Sequence, residues 1–370
     1  MGATRVTAGS ARVRRPEVAD VLGSWVAARV AVLGALGLGS FLAVSSRQGL
    51  LGWDAAHYAW IADHGYPPHE PETARFFPLV PLLARAVSVV PGVSTGVALI
   101  IVANVGAVVF GLLLHRLARQ EGFDESGAAR AVWLQTLAPA AFVLVMGYAE
   151  SVFGALTVAF LSALRRRAWG WAGVVGLLAG TCRPLAVVLV AVALVEAGRG
   201  LRDTGARELL LRLTAVLAPA AGVGAYLAYI GARTGHPLLP FTVQARGNLR
   251  ATIVSNPVSV AYRLVEDALG GHRPGGGLHV VWLVVYVVLL VVVARTLPAG
   301  YTVFAGLTLL LGTTSESMNS IERYAWSAFP FALALAHLTR RPWAFLLTLS
   351  ASTAGLVGYA LLTFADRYVP

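Results

Sequence analysis

The chain has 370 residues, 57% of them hydrophobic and only 13% charged, with a formal net charge of +11 whose basic side is entirely arginine. A soluble domain has roughly 25% charged residues, so this composition excludes an ordinary soluble fold and points to a protein that crosses a membrane many times. The arginines fall in short gaps between apolar runs, which membrane orientation explains better than nucleic-acid binding, and the lone cysteine, Cys182, excludes an intrachain disulfide and a thiolate metal site.

Residues 1–20 hold Arg5, Arg12, Arg14 and Arg15 and are expected to form a mobile cytoplasmic tail; residues 21–370 are expected to form one transmembrane domain. The apolar run Val21–Ser46 is too long for the ~7–15-residue core of a signal peptide, and at ~1.5 Å per residue it can serve as a retained first span leading outward. A polar island follows in a first outer loop, about 47–94. It opens Trp53-Asp54-Ala55-Ala56-His57-Tyr58, continues through Ile61-Ala62-Asp63-His64-Gly65-Tyr66 and closes on Phe76-Phe77-Pro78-Leu79-Val80-Pro81. Asp54, His57, Tyr58 and Ile61 fall at i, i+3, i+4 and i+7, one face of a helix. Residues 76–91 are apolar enough to cross, but crossing would leave Arg116 and Arg119 outside, so a re-entrant or interfacial segment is expected.

Thr95–Leu114 is the next expected span, returning to a cytoplasmic Arg116–Arg130. Ala131–Gly147 then leads out, Tyr148–Ser151 turns, and Val152–Leu164 returns to Arg165-Arg166-Arg167. Trp169–Val195 carries Arg183-Pro184 at its centre. A single span there would strand Arg199, Arg202, Arg207 and Arg212 outside; a hairpin keeps them inside. Each hairpin arm reaches only ~20 Å into a ~30 Å core, which recesses Arg183 below the outer surface. Leu213–Ile230 leads to a second outer loop, about 231–277, with several prolines and the amides Gln244, Asn248 and Asn256. Leu278–Ala294 returns, Ala299–Thr313 leads out, Thr314–Glu322 is a polar outer loop, Tyr324–Leu338 returns, and Trp343–Phe364 leaves the C-terminus outside. The expected fold is an all-α polytopic bundle of roughly eleven transmembrane helices, with amphipathic or re-entrant helices in the first outer loop.

Asp54, His57, Tyr58, Glu150, Arg183, Glu316 and Arg323 all reach the outer side without having been used to set the orientation. Ionisable groups cost ~2.5–3.5 kcal/mol at a membrane helix centre, so several on one side mark a candidate site. Asp54 is a catalytic carboxylate or the N-cap of its helix. His57 and Tyr58 line a substrate site or serve the interface; Trp53 and Tyr66 are expected to anchor there. Glu150 begins an inward helix, where the helix dipole favours a carboxylate whatever its role. Arg323 begins another, where the dipole disfavours a cation and Glu322 is a local offset. Arg183 sits beside the helix-breaking Pro184. Both arginines could hold a turn or bind phosphate in a bidentate fork, and phosphate is the preferred expectation. His236, His272 and His279 are read as structural or interfacial. Zinc proteolysis, nucleotide hydrolysis and serine hydrolysis have no motif here.

Trp53-Asp54-x-x-His57-Tyr58-x-x-Ile61-Ala62-x-x-Gly65-Tyr66, followed by Phe76-Phe77-Pro78-Leu79-x-Pro81-Leu82, resembles the signature of PIG-V-type mannosyltransferases. These are the second mannosyltransferase of glycosylphosphatidylinositol assembly and its bacterial relatives. The resemblance runs on through Tyr148-x-Glu150-Ser151, Gly176-x-x-x-Gly180-x-x-Arg183-Pro184, and Arg323-Tyr324 leading into Ala328-Phe329-Pro330. It implies a GT-C-type membrane glycosyltransferase with an outer active site, a polyprenyl-phosphate sugar as donor (polyprenyl- or dolichyl-phosphate mannose in this family) and inversion at the anomeric carbon. Asp54 then matches the essential carboxylate of the first outer loop and acts as general base on the acceptor hydroxyl. In that frame chemistry and position give Glu150 the orienting of sugar or acceptor hydroxyls, Arg183 and Arg323 the leaving phosphate, and His57 and Tyr58 the lining of the site. Many GT-C relatives carry paired acids in this loop, some with a metal; here Ala55 and Ala56 follow Asp54, which puts metal dependence in doubt: no metal ligand is assigned, and a divalent metal stays an open alternative beside the donor substrate.

The short, arginine-only chain favours a bacterial plasma membrane over an endoplasmic reticulum. The acceptor stays open among a glycolipid, a polysaccharide and a protein, with loop 231–277 the expected seat of its recognition. Two rivals stand: a GT-C transferase of another prenyl-phosphate sugar, such as arabinose or glucose, and a transporter or flippase of lipid-linked saccharides. A transporter should carry its ionisable groups near the midplane and show two related halves.

Overall fold

The computed structural model describes residues 15–44, 49–201, 204–244, 256, 258–259, 262, 266, 274–314 and 321–368, and among these there is no strand. Asn248, His272, Glu316 and most of the loop 231–277 lie outside the described residues, as does the tail up to residue 14. Helix α1 (Arg15–Phe41) begins inside the stretch expected to be a tail and carries residues 15–20 into the bundle.

Five described helices are long and apolar enough to cross a membrane. They are α1 and four to which the labels below attach, at Thr95–Gln120, Ala206–Thr234, His279–Thr296 and Pro342–Phe364. Their outward stripes are apolar: Val26 and Val30, Val105 and Val109, Val281, Val284 and Val288, and Leu346 and Leu347 are all exposed. A lipid surround satisfies such surface where water would not. Three shorter apolar helices, Trp169–Cys182, Pro184–Ala197 and Ala299–Thr313, pack with them.

The first outer loop contains α2 (Asp54–His64) and α3 (Leu79–Val87). At ~13 Å, α3 is too short to cross. It buries Val80, Pro81 and Ala84 and exposes Leu82 and Leu83, the two-faced character expected of an interfacial segment. Tyr66 corrects an expectation: it is no interfacial anchor but is buried, its hydroxyl donating to the Phe76 carbonyl at 2.7 Å. Tyr226 donates to the Ala74 carbonyl at 2.8 Å and so ties the same loop to the bundle.

Two expected spans are broken. After α4 (Thr95–Gln120), α5 (Glu125–Thr136) starts at Asp124, whose carboxylate accepts from the Gly127 N–H. It stops short of Pro139, and a 3-10 turn over Pro139–Leu144 continues the path. Ala140 to Tyr148 are buried in protein, which hydropathy alone does not distinguish from burial in lipid. The segment 324–338 is split in the same way by Pro330, as described below. The expected eleven spans counted these pieces as crossings.

α6 (Glu150–Arg165) and the pair α7 (Trp169–Cys182) and α8 (Val188–Ala197) follow. α7 and α8 form the hairpin that the arginine pattern required, because both its ends meet the start of α9 (Ala206–Thr234). Trp169 Nε1 donates to Glu208 Oε1 at 3.2 Å, and Arg212 Nη1 donates to the Ala197 carbonyl at 2.6 Å. Small residues let α7 and α9 touch: a Cβ on Gly180 would stand 2.8 Å from Gly222 Cα and strike the Pro219 carbonyl. The chain closes with α10 (Leu239–Gln244), α11 (Pro274–Thr296), α12 (Ala299–Thr313), α13 (Ile321–Trp326), α14 (Pro330–Leu338) and α15 (Pro342–Phe364).

Candidate functional site

Four of the seven residues singled out in the sequence meet, Glu316 being outside the described residues. Asp54 opens α2, but it does not cap it: the cap position is Trp53, with no side-chain capping bond. The Asp54 carboxylate instead accepts from Arg323 Nη1 at 2.8 Å, across 269 residues of sequence. Arg323 Nε stands 3.5 Å from Glu150 Oε1, and the same Glu150 oxygen lies 2.7 Å from Arg183 Nη1. The result is a chain of alternating charges, Asp54–Arg323–Glu150–Arg183, with two carboxylates and two guanidiniums.

Local structure places each member. Glu150 begins α6, where the helix dipole favours a negative charge; Arg183 follows the last turn of α7, where it favours a positive one. Arg183 is extended (φ −152°, ψ 147°), the conformation a following proline imposes. Arg323 lies in the last turn of the six-residue α13, so the dipole does not oppose it as it would at the start of the longer inward helix expected from sequence; two carboxylates hold it. The Tyr324 ring lies 5.2 Å from the Arg323 guanidinium and 5.8 Å from that of Arg183. The Arg323 and Glu150 side chains are 5% and 6% exposed, whereas Asp54 is 32% exposed. Asp54 is therefore the most accessible member of the chain. A cavity of about 20 Å³ bounded by Gln135, Glu150, Arg323 and Trp326 has room for one water molecule.

His57 and Tyr58 sit one turn further along α2. The His57 ring stacks on Phe76 (4.8 Å, 16°), and Tyr58 meets the same ring edge-on at 5.1 Å. Burial, and then the charge of Arg75, hold the His57 pKa below its ordinary value, against a smaller upward pull from Asp54. The imidazole is neutral at neutral pH. Tyr58 is buried, which drives its phenol well above the usual range and keeps it a neutral lining group.

Sequence reasoning gave Glu322 only a dipole-offsetting part. It is 1% exposed and is the hub of a second cluster. Its carboxylate meets His279 Nδ1 at 2.8 Å and accepts from the Tyr359 and Tyr368 hydroxyls at 3.2 and 3.1 Å, while its carbonyl accepts from Tyr286. These contacts pin α13, and with it Arg323, to α11 and α15. His279 is thus structural, as expected. The one available signal was a buried-type acid directly before the arginine. His236 is exposed.

Among the described residues no group of three or more His, Cys, Asp or Glu side chains is placed to hold a metal ion. Asp54 and Glu150 share Arg323 between them. What the arrangement offers chemically is one accessible carboxylate, oriented through one oxygen by a buried guanidinium, beside an aromatic and cationic wall.

The profile of the family described as Mannosyltransferase (PIG-V) matches residues 40–200. That stretch contains the blocks around Asp54, Glu150 and Arg183; the block around Arg323 lies beyond it. No curated protein matches the sequence. Among solved structures, the Archaeoglobus fulgidus oligosaccharyltransferase tethered to an acceptor peptide aligns with a TM-score of 0.50 at 13% identity, covering 96% of this chain and 56% of that one. Its apo form gives 0.47 at 11% identity, again over 96% and 56%, and its complex with Zn and sulfate gives 0.44 at 15% over 85% and 48%. This chain therefore spans little more than half the length of the oligosaccharyltransferase. The likeness to the tethered form establishes the fold alone, an all-α bundle like that of the oligosaccharyltransferase.

Proposed function

We propose that this chain is a membrane glycosyltransferase that moves a mannosyl group from polyprenyl-phosphate mannose to a hydroxyl of a lipid-linked or cell-envelope acceptor, inverting the anomeric carbon. The observation that carries the reading is Asp54: the exposed end of an otherwise buried charge chain, inside the residues that match the mannosyltransferase profile.

Arg323 holds Asp54 through Oδ2 and so fixes the direction of the other oxygen, Oδ1. Oδ1 accepts the proton of the acceptor hydroxyl as that oxygen attacks the anomeric carbon. The bond from the anomeric carbon to the phosphate oxygen breaks on the opposite side, and polyprenyl phosphate leaves with the electron pair. Glu150 acts from behind, holding Arg323 and Arg183; Tyr58 and His57 line the site. Arg183 and Arg323 were expected on the leaving phosphate. Both are nearly buried and already face carboxylates, which favours them as internal counter-ions that position Asp54 and Glu150.

The test is label transfer in membranes containing the full chain. Labelled polyprenyl-phosphate mannose is expected to give a new glycosylated product and free polyprenyl phosphate. Transfer only from a glucosyl or arabinosyl donor would replace the sugar. Passage of intact labelled donor across the bilayer, with no new bond, would replace the enzyme by a flippase.

A further inference from the structure

With Arg183 and Arg323 neutralised inside the protein, the departing phosphate needs another cation. The site has one. Arg75 lies in the 3-10 turn Pro71–Arg75, is half-buried, and directs its guanidinium over the Phe76 ring at 5.1 Å. Its Nε donates to the Glu72 carbonyl at 3.2 Å, which fixes the root of the fork. Among the described residues Arg75 makes no ion pair, in contrast to the two arginines of the charge chain. The ring under it is also the ring on which His57 stacks.

The base and the leaving group must flank the reacting carbon on opposite sides; in inverting glycoside hydrolysis the two catalytic groups stand ~6.5–9.5 Å apart. His57 is three residues beyond Asp54 on α2, ~4.5 Å along the helix axis, and Arg75 lies against the same aromatic ring as His57. A base, an imidazole and a guanidinium with no ion pair among the described residues are thus linked through α2 and the Phe76 ring. Arg323 touches the base itself, the wrong place for the group that must leave from the other side. The Phe76 ring that carries both His57 and Arg75 is buried, and Tyr66 and Tyr226 secure its backbone, so the wall is a built one.

We infer that Arg75, against the Phe76 ring on which His57 also stacks, is the binding site for the phosphate of the prenyl-phosphate donor. The inference rests on the proposed function and adds a residue that the motif reading passed over. A planar guanidinium donates two parallel hydrogen bonds to phosphate oxygens, and it strengthens its hold as negative charge grows on the leaving oxygen. The neutral imidazole adds a hydrogen bond without adding charge.

The experiment measures binding of polyprenyl phosphate, the leaving group itself, to the full chain in phosphatidylcholine nanodiscs, so that transfer is not required. Phosphatidylglycerol and inorganic phosphate serve as comparison anions. Arg75→Gln is expected to weaken polyprenyl-phosphate binding by about tenfold or more, the range of a charge-assisted hydrogen bond, and Arg75→Lys by less. Both variants should fold with no more than a small shift of the unfolding midpoint from the lost bond to the Glu72 carbonyl, and phosphatidylglycerol should bind both variants and the wild type alike. Equal polyprenyl-phosphate affinity in wild type and Arg75→Gln would overturn the assignment while leaving the glycosyltransferase reading in place. Equal losses for phosphatidylglycerol would make Arg75 a general anion patch and overturn it too. No binding by the wild type would remove the prenyl-phosphate donor, and both readings with it. Should Arg75→Gln fail to fold, the ratio of Arg75→Lys to wild type decides, since a fork lost at constant charge must still lower affinity.

Discussion

Removing Glu150 should reveal whether the charge chain is a unit. Glu150→Gln keeps the shape and one acceptor oxygen but withdraws the negative charge that faces Arg183 Nη1 at 2.7 Å and Arg323 Nε at 3.5 Å. The two arginine side chains are 10% and 5% exposed, so water replaces little of the loss. Breaking one side of a buried pair costs ~3–5 kcal/mol, whereas interhelical polar contacts in membrane proteins average only ~0.6 kcal/mol. Arg323 keeps Asp54, so one charge rather than two is left uncompensated, and the expected cost is at the lower end, about 3 kcal/mol. Arg183→Met leaves Glu150 with Arg323 and should cost less. The double variant restores a neutral pair, Asp54–Arg323, and should be less damaged than the sum of the singles by about 2 kcal/mol. Reversible unfolding in mixed micelles measures all four corners of the cycle. Additivity within ~0.5 kcal/mol would refute the chain as a coupled unit.

Gly180→Val should destabilise by at least ~1–3 kcal/mol in the same unfolding assay, because its side chain meets the backbone of α9, whereas Gly224→Ala, with nothing within 4 Å, should be nearly neutral. Acid should destabilise the protein in part through His57. Its folded pKa lies below the ordinary 6.5, so the stability of the neutral form is complete above about pH 6.5 and is lost as pH falls through the lowered value. His57→Gln should flatten that acid limb, and an unchanged slope between pH 7 and 5 would contradict it. Tyr226→Phe leaves the Ala74 carbonyl without its 2.8 Å partner; a cost of ~1–3 kcal/mol and faster proteolysis in loop 67–76 are expected, and unchanged cleavage would count against the tie.

The long helices were legible because lipid-facing residues such as Val26, Val30 and Val105 make continuous apolar runs. The α7–α8 hairpin was legible from arginine placement alone, since Arg199 and Arg212 had to rejoin the side of Arg165. Residues 131–147 and 324–338 misled because a segment buried in protein is as apolar as one buried in lipid; only Pro139 and Pro330 hinted at the breaks. Asp54, Glu150, Arg183 and Arg323 could be gathered to one end by orientation. Their pairing could not be read, because it depends on how α2, α6, α7 and α13 converge. Glu322 stayed hidden for the same reason: its partners His279, Tyr359 and Tyr368 lie 43, 37 and 46 residues away with no periodic relation to it. Arg75 fell between two motif blocks and had no visible partner.

The most direct measurement is transfer of labelled mannose from polyprenyl-phosphate mannose by membranes carrying wild type or Asp54→Asn at equal expression. Asn keeps the volume of Asp54 and still accepts a hydrogen bond from Arg323, but it cannot take a proton. The proposed mechanism requires transfer by the wild type and a loss of at least ~100-fold in the variant, the scale of a general base. Transfer that survives in an inserted, folded Asp54→Asn would take the base role from Asp54 and contradict the reading built on it.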